Sequence, residues 1–280
     1  MINLNGNLVD LSEAHINPLN RAMTYGDGVF ETIRVSAGKV LFWEDHYFRL
    51  MASMRILRME IPMTFTPESL EEQILEVVGQ QDKAAAYMVK VLVWRKIGGK
   101  YTPKTLDVDY LIQAEGISQP FYTLDETPYV IELFKDHYVQ SGLLSTLKST
   151  NRLISVLGSI YAQENDYQNC LLLNEKKMVT EALNGNLFLV KGYKLKTPPA
   201  MDGCLKGIIR KQIIDILGTM PDYILEEETV SPFELQQADE LFITNTRVGI
   251  RPVTKYRKKE YGNELARELL AKLNTKARLG

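Results

Sequence analysis

The chain has 280 residues, with 33 Lys and Arg against 35 Asp and Glu, a formal net charge of −2. Hydrophobic residues make up 45% and charged residues 24%, which excludes wholesale disorder, and the even charge balance gives no support to a nucleic-acid or membrane-surface role. Two cysteines, Cys170 and Cys204, cannot build a disulfide framework or a four-thiolate zinc site and read as buried thiols of a reducing compartment. The start, Met1 to Gly6, lacks the basic and apolar regions of a signal peptide, and no apolar run approaches the roughly 18–20 residues of a membrane span. The expected location is the cytoplasm.

In chain order, Gly28 to Val35 and Lys39 to Phe42 flank Ser36-Ala37-Gly38 and predict a hairpin. Tyr47, Leu50, Met51, Met54 and Leu57 form one apolar helical stripe. Thr66-Pro67-Glu68 supplies a cap, a proline at the first helical position and an acid in the first turn of a helix that buries Leu70, Ile74 and Val77. Ala86 to Trp94 and Tyr110 to Ala114 read as strands. A stretch without period or strong pattern around 117–127 separates an N-terminal α/β domain, 1–116, from a C-terminal domain, 128–280. There, Tyr129 to Phe134, Cys170 to Asn174, Met178 to Thr180, Asn186 to Val190, Lys194 to Thr197 and Glu240 to Thr244 predict strands. Asn151 to Asn165, Gly207 to Leu217 and the Leu265, Leu269, Leu273 stripe predict helices, and Ser231-Pro232 with Glu234 is a capping box. The fold class is α/β in two parts.

Familiar motifs are absent. Gly26-Asp27-Gly28 begins a dinucleotide fingerprint whose third glycine position holds Glu31, there is no phosphate-binding P-loop, and His15, His46 and His137 show no metal-ligand spacing. Lys148 stands at the junction between a Leu/Ser/Thr segment and the helical pattern near Asn151. Most lysines are solvated surface charges. One enclosed at such a junction would hold more neutral amine, and a neutral amine forms an imine with an aldehyde. Glu181, at a strand end before Asn184-Gly185, reads either as a loop acid or as the partner of a buried cation. Three segments suit an anion: the helix start at Lys206-Gly207-Ile208-Ile209, the Thr244-Asn245-Thr246 turn, and Arg49 beside the apolar stripe. An amine, an acid and several phosphate donors are the parts of a pyridoxal phosphate site.

Several ordered segments carry a resemblance: Arg21 to Thr32 (RAMTYGDGVFET), Arg49-Leu50, Leu147 to Leu153 (LKSTNRL), Val179-Thr180-Glu181 with Asn186-Leu187-Phe188, Leu205 to Arg210 (LKGIIR), and Ala238 to Phe242 running into Thr244-Asn245-Thr246. Together they resemble the class IV aminotransferase family, the fold-type IV pyridoxal phosphate enzymes. The resemblance implies two α/β domains of the D-amino acid aminotransferase type, with pyridoxal 5'-phosphate in the cleft between them and a homodimer as the assembly. It implies that Lys148 is the lysine that takes the cofactor's aldehyde and that Glu181 holds the pyridine nitrogen. It also implies that Arg49, the amides near Ile208 and Ile209, and Thr246 cradle the phosphate.

Within the family, Thr32, the Arg95 to Tyr101 stretch (RKIGGKY) and the Asn151-Arg152 pair are similar to aminodeoxychorismate lyases. That resemblance implies a lyase acting on 4-amino-4-deoxychorismate to give 4-aminobenzoate and pyruvate, in folate biosynthesis. Thr32 would assist proton transfer, and Arg95, Lys100 and Arg247 would supply cationic contacts to a dianionic ring. Tyr25 and Phe30 are apolar pocket candidates that also suit a branched-chain aminotransferase using 2-oxoglutarate. The remaining alternative is a non-catalytic pyridoxal phosphate-binding protein. No metal, membrane or nucleic-acid partner is expected.

Overall fold

The computed structural model describes residues 1–279. They fall into two units, Met1–Phe121 with Lys148–Asn151, and Tyr122–Leu147 with Arg152–Leu279.

The first unit runs β1 (Ile2–Leu4), β2 (Asn7–Val9), α1 (Arg21–Tyr25), β3 (Gly28–Ser36), β4 (Lys39–Val40), α2 (Trp43–Ile56), α3 (Pro67–Gly79), β5 (Ala86–Arg95) and β6 (Val108–Ile117). Its strands form one antiparallel sheet in the order β2-β1-β6-β5-β3-β4. The two tight hairpins turn through left-handed pairs, Asn5 (φ 54°) with Gly6 (φ 86°) and Ala37 (φ 50°) with Gly38 (φ 74°), which match the twist of the flanking strands. Side chains alternate along β3, so Val29, Ile33 and Val35 enter one core with Leu50, Met51 and Met54 of α2 and Leu70, Ile74 and Val77 of α3. Each such side chain stabilises the fold by about 1.5–3 kcal/mol. The same alternation carries Glu31 to that buried face and Phe30 and Thr32 to the other.

Sequence order assigns Lys148 to the C-terminal part, but the structure gives Lys148–Asn151 to the first unit. Backbone pairing is the reason. Phe30 N–H donates to the Lys148 carbonyl (2.8 Å) and Thr150 N–H to the Gly28 carbonyl (2.9 Å), and Val29 bridges Ser149.

The second unit contains β7 (Val130–Val139), α4 (Leu153–Glu164), β8 (Asn169–Asn174), β9 (Val179–Ala182), β10 (Asn186–Lys191), β11 (Lys194–Thr197), α5 (Ile208–Leu217), β12 (Ile224–Glu227), α6 (Pro232–Leu235), β13 (Glu240–Asn245), β14 (Gly249–Val253), β15 (Lys255–Tyr256), β16 (Lys259–Glu260) and α7 (Glu264–Leu279). Two sheets result, β12-β11-β10-β13-β14 and β16-β15-β7-β8-β9. Leu133, Leu171 and Val179 of one sheet share a core with Leu187, Leu189, Leu241 and Ile243 of the other. β8 to β10 are almost entirely buried, as near-continuous apolar strands require. α5 packs on β13 and α7 on β13 and β14, and Phe188 of β10 stacks on Phe242 of β13 at 5.1 Å. The capping box at Ser231 and Glu234 is formed.

Candidate active site

In the first unit the lysine strip is held by several independent bonds. Asn151 Nδ2 donates to the Gly26 carbonyl (2.9 Å). Gly26 is left-handed (φ 64°), and a side chain there would collide with Asn151. The half-buried Lys148 thereby places its Nζ 4.6 Å from the centre of the Phe30 ring. Lys90 of β5 brings a second ammonium, 5.0 Å from the same ring. Lys90 pairs in register with Thr32, and cross-strand partners share a face. Lys148, Phe30, Thr32 and Lys90 therefore form one surface of two amines, a hydroxyl and an aromatic ring. In the sequence Lys90 is marked only as a lone charge within the strand AYMVKVLVW.

On the opposite face of β3, Glu31 is 2% exposed. It accepts from Arg49 Nε (2.8 Å) and Nη2 (2.5 Å), and its Oε2 lies 2.7 Å from His46 Nδ1. Burial pushes the Glu31 carboxyl up, but the Arg49 guanidinium and the His46 hydrogen bond outweigh it and hold it down at about 2. Burial dominates at His46 and lowers its pKa against the pull of Glu31. A neutral His46 then donates from Nδ1 and leaves Nε2 as a buried nitrogen with no partner among the described residues. Arg49 is thus held in a fixed plane by Glu31, a pairing that the sequence reading of Arg49 alone does not include.

Arg95, expected to contact substrate, is turned inward and 6% exposed. Its fork reaches Asp27 (3.0 and 3.3 Å) and the carbonyls of Arg58 (3.0 Å) and Leu57 (2.6 Å) at the end of α2. Those bonds engage its Nε and both terminal nitrogens, using four of the five N–H groups, so Arg95 clamps β3 and the end of α2 to β5. Lys100 is exposed on the loop that follows β5. Tyr25 is half-open, with its ring edge-on to Tyr101 at 5.8 Å.

In the second unit Glu181 lies on β9, 7% exposed, and its Oε2 accepts the Leu205 N–H (2.9 Å). That bond draws in the segment leading to α5. Gly207 is the N-cap of α5 and provides no side-chain cap. A side chain there would strike the Asn186 amide. The first intrahelical bond is Lys211 N–H to the Gly207 carbonyl (3.0 Å), so the amides of Ile208 and Ile209 point out of the helix start. Opposite Asn186 of β10, Thr244 of β13 is 2% exposed, and among the described residues its hydroxyl has no hydrogen-bond partner. Thr246 and the exposed Arg247 sit in the following turn, where Asn245 Oδ1 accepts the N–H groups of Arg247 (3.0 Å) and Val248 (3.1 Å). An uncapped helix start, a glycine at the point of closest approach and a buried unpartnered hydroxyl are the donor set of a small anion. The residues present therefore fit a phosphate and, at Glu181, a protonated ring nitrogen. At Cys204 burial, reinforced by Glu181, pushes the thiol up to about 12, which disfavours the thiolate.

Among the described residues no helix is long and apolar enough to cross a membrane, and no group of His, Cys, Asp and Glu could hold a metal ion.

Residues 28–256 match the family model Amino-transferase class IV. The chain is 32% identical to a Methanocaldococcus jannaschii protein named "Putative branched-chain-amino-acid aminotransferase", over 98% of this chain and 94% of the relative. It is 25% identical to the aminodeoxychorismate lyase of Vibrio harveyi, over 95% and 98%. Among solved structures, a T.th. branched-chain amino acid aminotransferase complexed with N-(5'-phosphopyridoxyl)-L-glutamate superposes with a TM-score of 0.85 at 26% identity, covering 97% of this chain and 92% of that one.

Proposed function

We propose, for a chain that belongs to the class IV aminotransferase family of pyridoxal phosphate enzymes, that it is a 4-amino-4-deoxychorismate lyase of folate biosynthesis. The observation that carries this reading is the surface formed by Lys148, Thr32, Lys90 and Phe30. A dianionic ring needs cations and hydroxyl donors beside its reacting carbon. A branched aliphatic side chain gains nothing from an ammonium such as that of Lys90; in the aminotransferase reading only the second carboxylate of 2-oxoglutarate would.

Lys148 would take the cofactor's aldehyde, Glu181 would partner the pyridine nitrogen, and Arg49, Thr246 and the amides of Ile208 and Ile209 would hold the phosphate. The bound cofactor supplies an electron sink next to the carbon that bears the substrate amine. Lys148 Nζ moves the proton at that carbon, and Thr32 Oγ1 assists the transfer. Glu31 and His46 hold Arg49 in plane. Phe30 and Tyr25 pack on the substrate ring, and Lys90, Lys100 and Arg247 meet its carboxylates. The ring C–O bond of the enol ether would then break, the leaving enolpyruvate would take up the proton that Lys148 removed and become pyruvate, and the aromatised ring would leave as 4-aminobenzoate.

A second reading, an amino acid aminotransferase of branched-chain type using 2-oxoglutarate, is favoured by the archaeal relative and by the superposed branched-chain enzyme. Parallel assays with 4-amino-4-deoxychorismate and with a panel of L- and D-amino acids plus 2-oxoglutarate separate the two. Leucine or valine transamination without pyruvate release would replace the first reading by the second.

The working form in this proposal is a cytoplasmic homodimer. Two observations support it: the free, buried thiols of Cys170 and Cys204, and the row of Leu153, Val156 and Ile160 left exposed along α4. Such an apolar face suits a second copy. Light scattering of the purified protein tests the oligomer, and a monomer at micromolar concentration would refute it.

A further inference from the structure

The loop between β5 and β6, residues 96–107, carries Lys100 and Tyr101 at its tip, and Tyr101 is 91% exposed. A tip so exposed, with left-handed glycines at 98 and 99 (φ 122° and 77°), is ordinarily mobile. Here it is fastened from beneath. Arg21, the first residue of α1 and 4% exposed, donates from Nη1 to the carbonyls of Lys100 (2.7 Å) and Gly98 (3.3 Å). Its Nε donates to Asp27 Oδ2 (2.9 Å), the same oxygen that Arg95 Nε reaches at 3.0 Å. The Arg21 guanidinium also lies 4.7 Å from the centre of the Tyr25 ring, which meets Tyr101 edge-on.

The corner that carries Asp27 also fixes the lysine strip. Three successive carbonyls accept bonds: Gly26 from Asn151 Nδ2 (2.9 Å), Asp27 from Arg95 N–H (3.2 Å) and Gly28 from Thr150 N–H (2.9 Å). The first and third tie the corner to the strip that bears Lys148, and the second ties it to the strand end from which the 96–107 loop springs. One corner thus sets both the lysine and the loop, and Arg21 links α1 to the loop's carbonyls.

We propose that Arg21 is a positioning residue for substrate selection: its fork, anchored on Asp27, holds the 96–107 loop so that Lys100 and Tyr101 meet the charged end of the substrate in register with Lys148. The inference rests on the reading of Lys100 as a substrate contact. A planar guanidinium is required because one group must serve a carboxylate and two carbonyls in fixed directions. A lysine at position 21 keeps the charge and cannot span all three.

The test compares Arg21→Lys and Arg21→Met with the wild-type holoenzyme. Limited trypsin digestion reads cleavage after Lys96, Lys100 and Lys104, and steady-state kinetics with 4-amino-4-deoxychorismate separates KM from kcat. Both variants are expected to be cut in the loop about tenfold faster and to show KM raised about tenfold, the loss of one charge-assisted hydrogen bond. Cofactor content should be unchanged and kcat should stay within about threefold, since Arg21 does not touch the reacting atoms. Unchanged loop cleavage in both variants overturns the clamp. Faster cleavage with KM unchanged overturns the loop's part in substrate binding. A wild-type enzyme that releases no pyruvate overturns the proposed function instead, and trypsin alone then decides the clamp. Should Arg21→Met fail to fold, Gly99→Ala provides the second variant: its added methyl would strike the Thr102 carbonyl, so it loosens the same loop with Arg21 in place and is expected to give the same pattern.

Discussion

The two units satisfy their most enclosed carboxylates by different means. In the first, carboxylates are met by other side chains: Glu31 by Arg49 and His46, Asp27 by Arg21 and Arg95. In the second, carboxylates are met by backbone amides: Glu181 by Leu205, and Glu240 by Leu265 and Ala266 at the start of α7. A side-chain pair joins two charges that both lose their partner if one is replaced. An amide needs an acceptor, charged or not. The first unit should accordingly be sensitive to the loss of charge itself, and the second to the loss of an oxygen in the right place.

The largest effect lies outside that contrast and sets its scale. Lys148→Ala is expected to lower turnover by at least ~10³-fold, since proton transfer and attachment of the aldehyde both go with the amine. Borohydride reduction followed by peptide mapping checks the assignment, and a label on any other lysine sinks it. Next comes Glu31→Gln. An amide cannot balance Arg49, so the loss in stability should reach about 3–5 kcal/mol in urea unfolding. The pH dependence has a definite sign. The Glu31 carboxyl sits near 2 in the folded protein against 4.5 without its partners, so its contribution is full above about pH 4.5 and is lost as pH falls towards 2. His46, also depressed, adds an earlier loss as pH falls below about 6.5, where the unfolded chain binds a proton that the folded one refuses. Glu31→Gln should flatten the acid limb below about pH 4.5, and a mutant whose limb matches wild type would remove Glu31 from this account.

Glu181→Gln sharpens the comparison from the other side. Glutamine keeps an oxygen for the Leu205 amide, so folding should change little, while the charge facing the pyridine nitrogen is gone. Turnover should fall by about 10²-fold with cofactor content nearly intact. A near-normal rate would make Glu181 a purely structural acceptor.

The same contrast explains what is legible in the sequence. Strand and helix positions follow from side-chain period, and the hairpin at Ala37-Gly38, the cap at Thr66 and the capping box at Ser231 are all legible because turn and cap chemistry is written in residue types. The β1–β2 hairpin carries an equally plain signal in Asn5-Gly6, which the expected elements omit. The short strands β12, β15 and β16 carry only two to four residues each, too few for a period to emerge. Resemblance places Lys148, but its transfer to the first unit rests on backbone bonds to Gly28 and Phe30 that no side-chain pattern records. Arg95 is turned inward for a related reason. A basic residue at a strand end looks available for substrate, and only the carbonyls of Leu57 and Arg58, brought in by the end of α2, show that it is engaged as a clamp. The partners of Arg49 and Arg21 lie 18 and 6 residues away respectively, within the sequence's own vocabulary of opposite charges, yet no rule of spacing selects Glu31 or Asp27 from the other acids.

Glu240→Gln should show the smallest effect and tests the contrast most directly. Glu240 is as buried as Glu181, both 7% exposed, and its two oxygens accept from Leu265 N–H (2.8 Å) and Ala266 N–H (3.1 Å). Those donors are satisfied without a cationic side chain. Glutamine retains one acceptor oxygen and turns a nitrogen towards the second amide, so one hydrogen bond and the favourable interaction with the helix dipole are lost. Together these are worth about 1–2 kcal/mol, well below the loss expected for Glu31→Gln. Urea midpoints of the two variants measured side by side, with unchanged dependence on denaturant, give the ratio. If Glu240→Gln costs as much as Glu31→Gln, then charge matters as much against amides as against cations, and the distinction between the two units does not govern their stability.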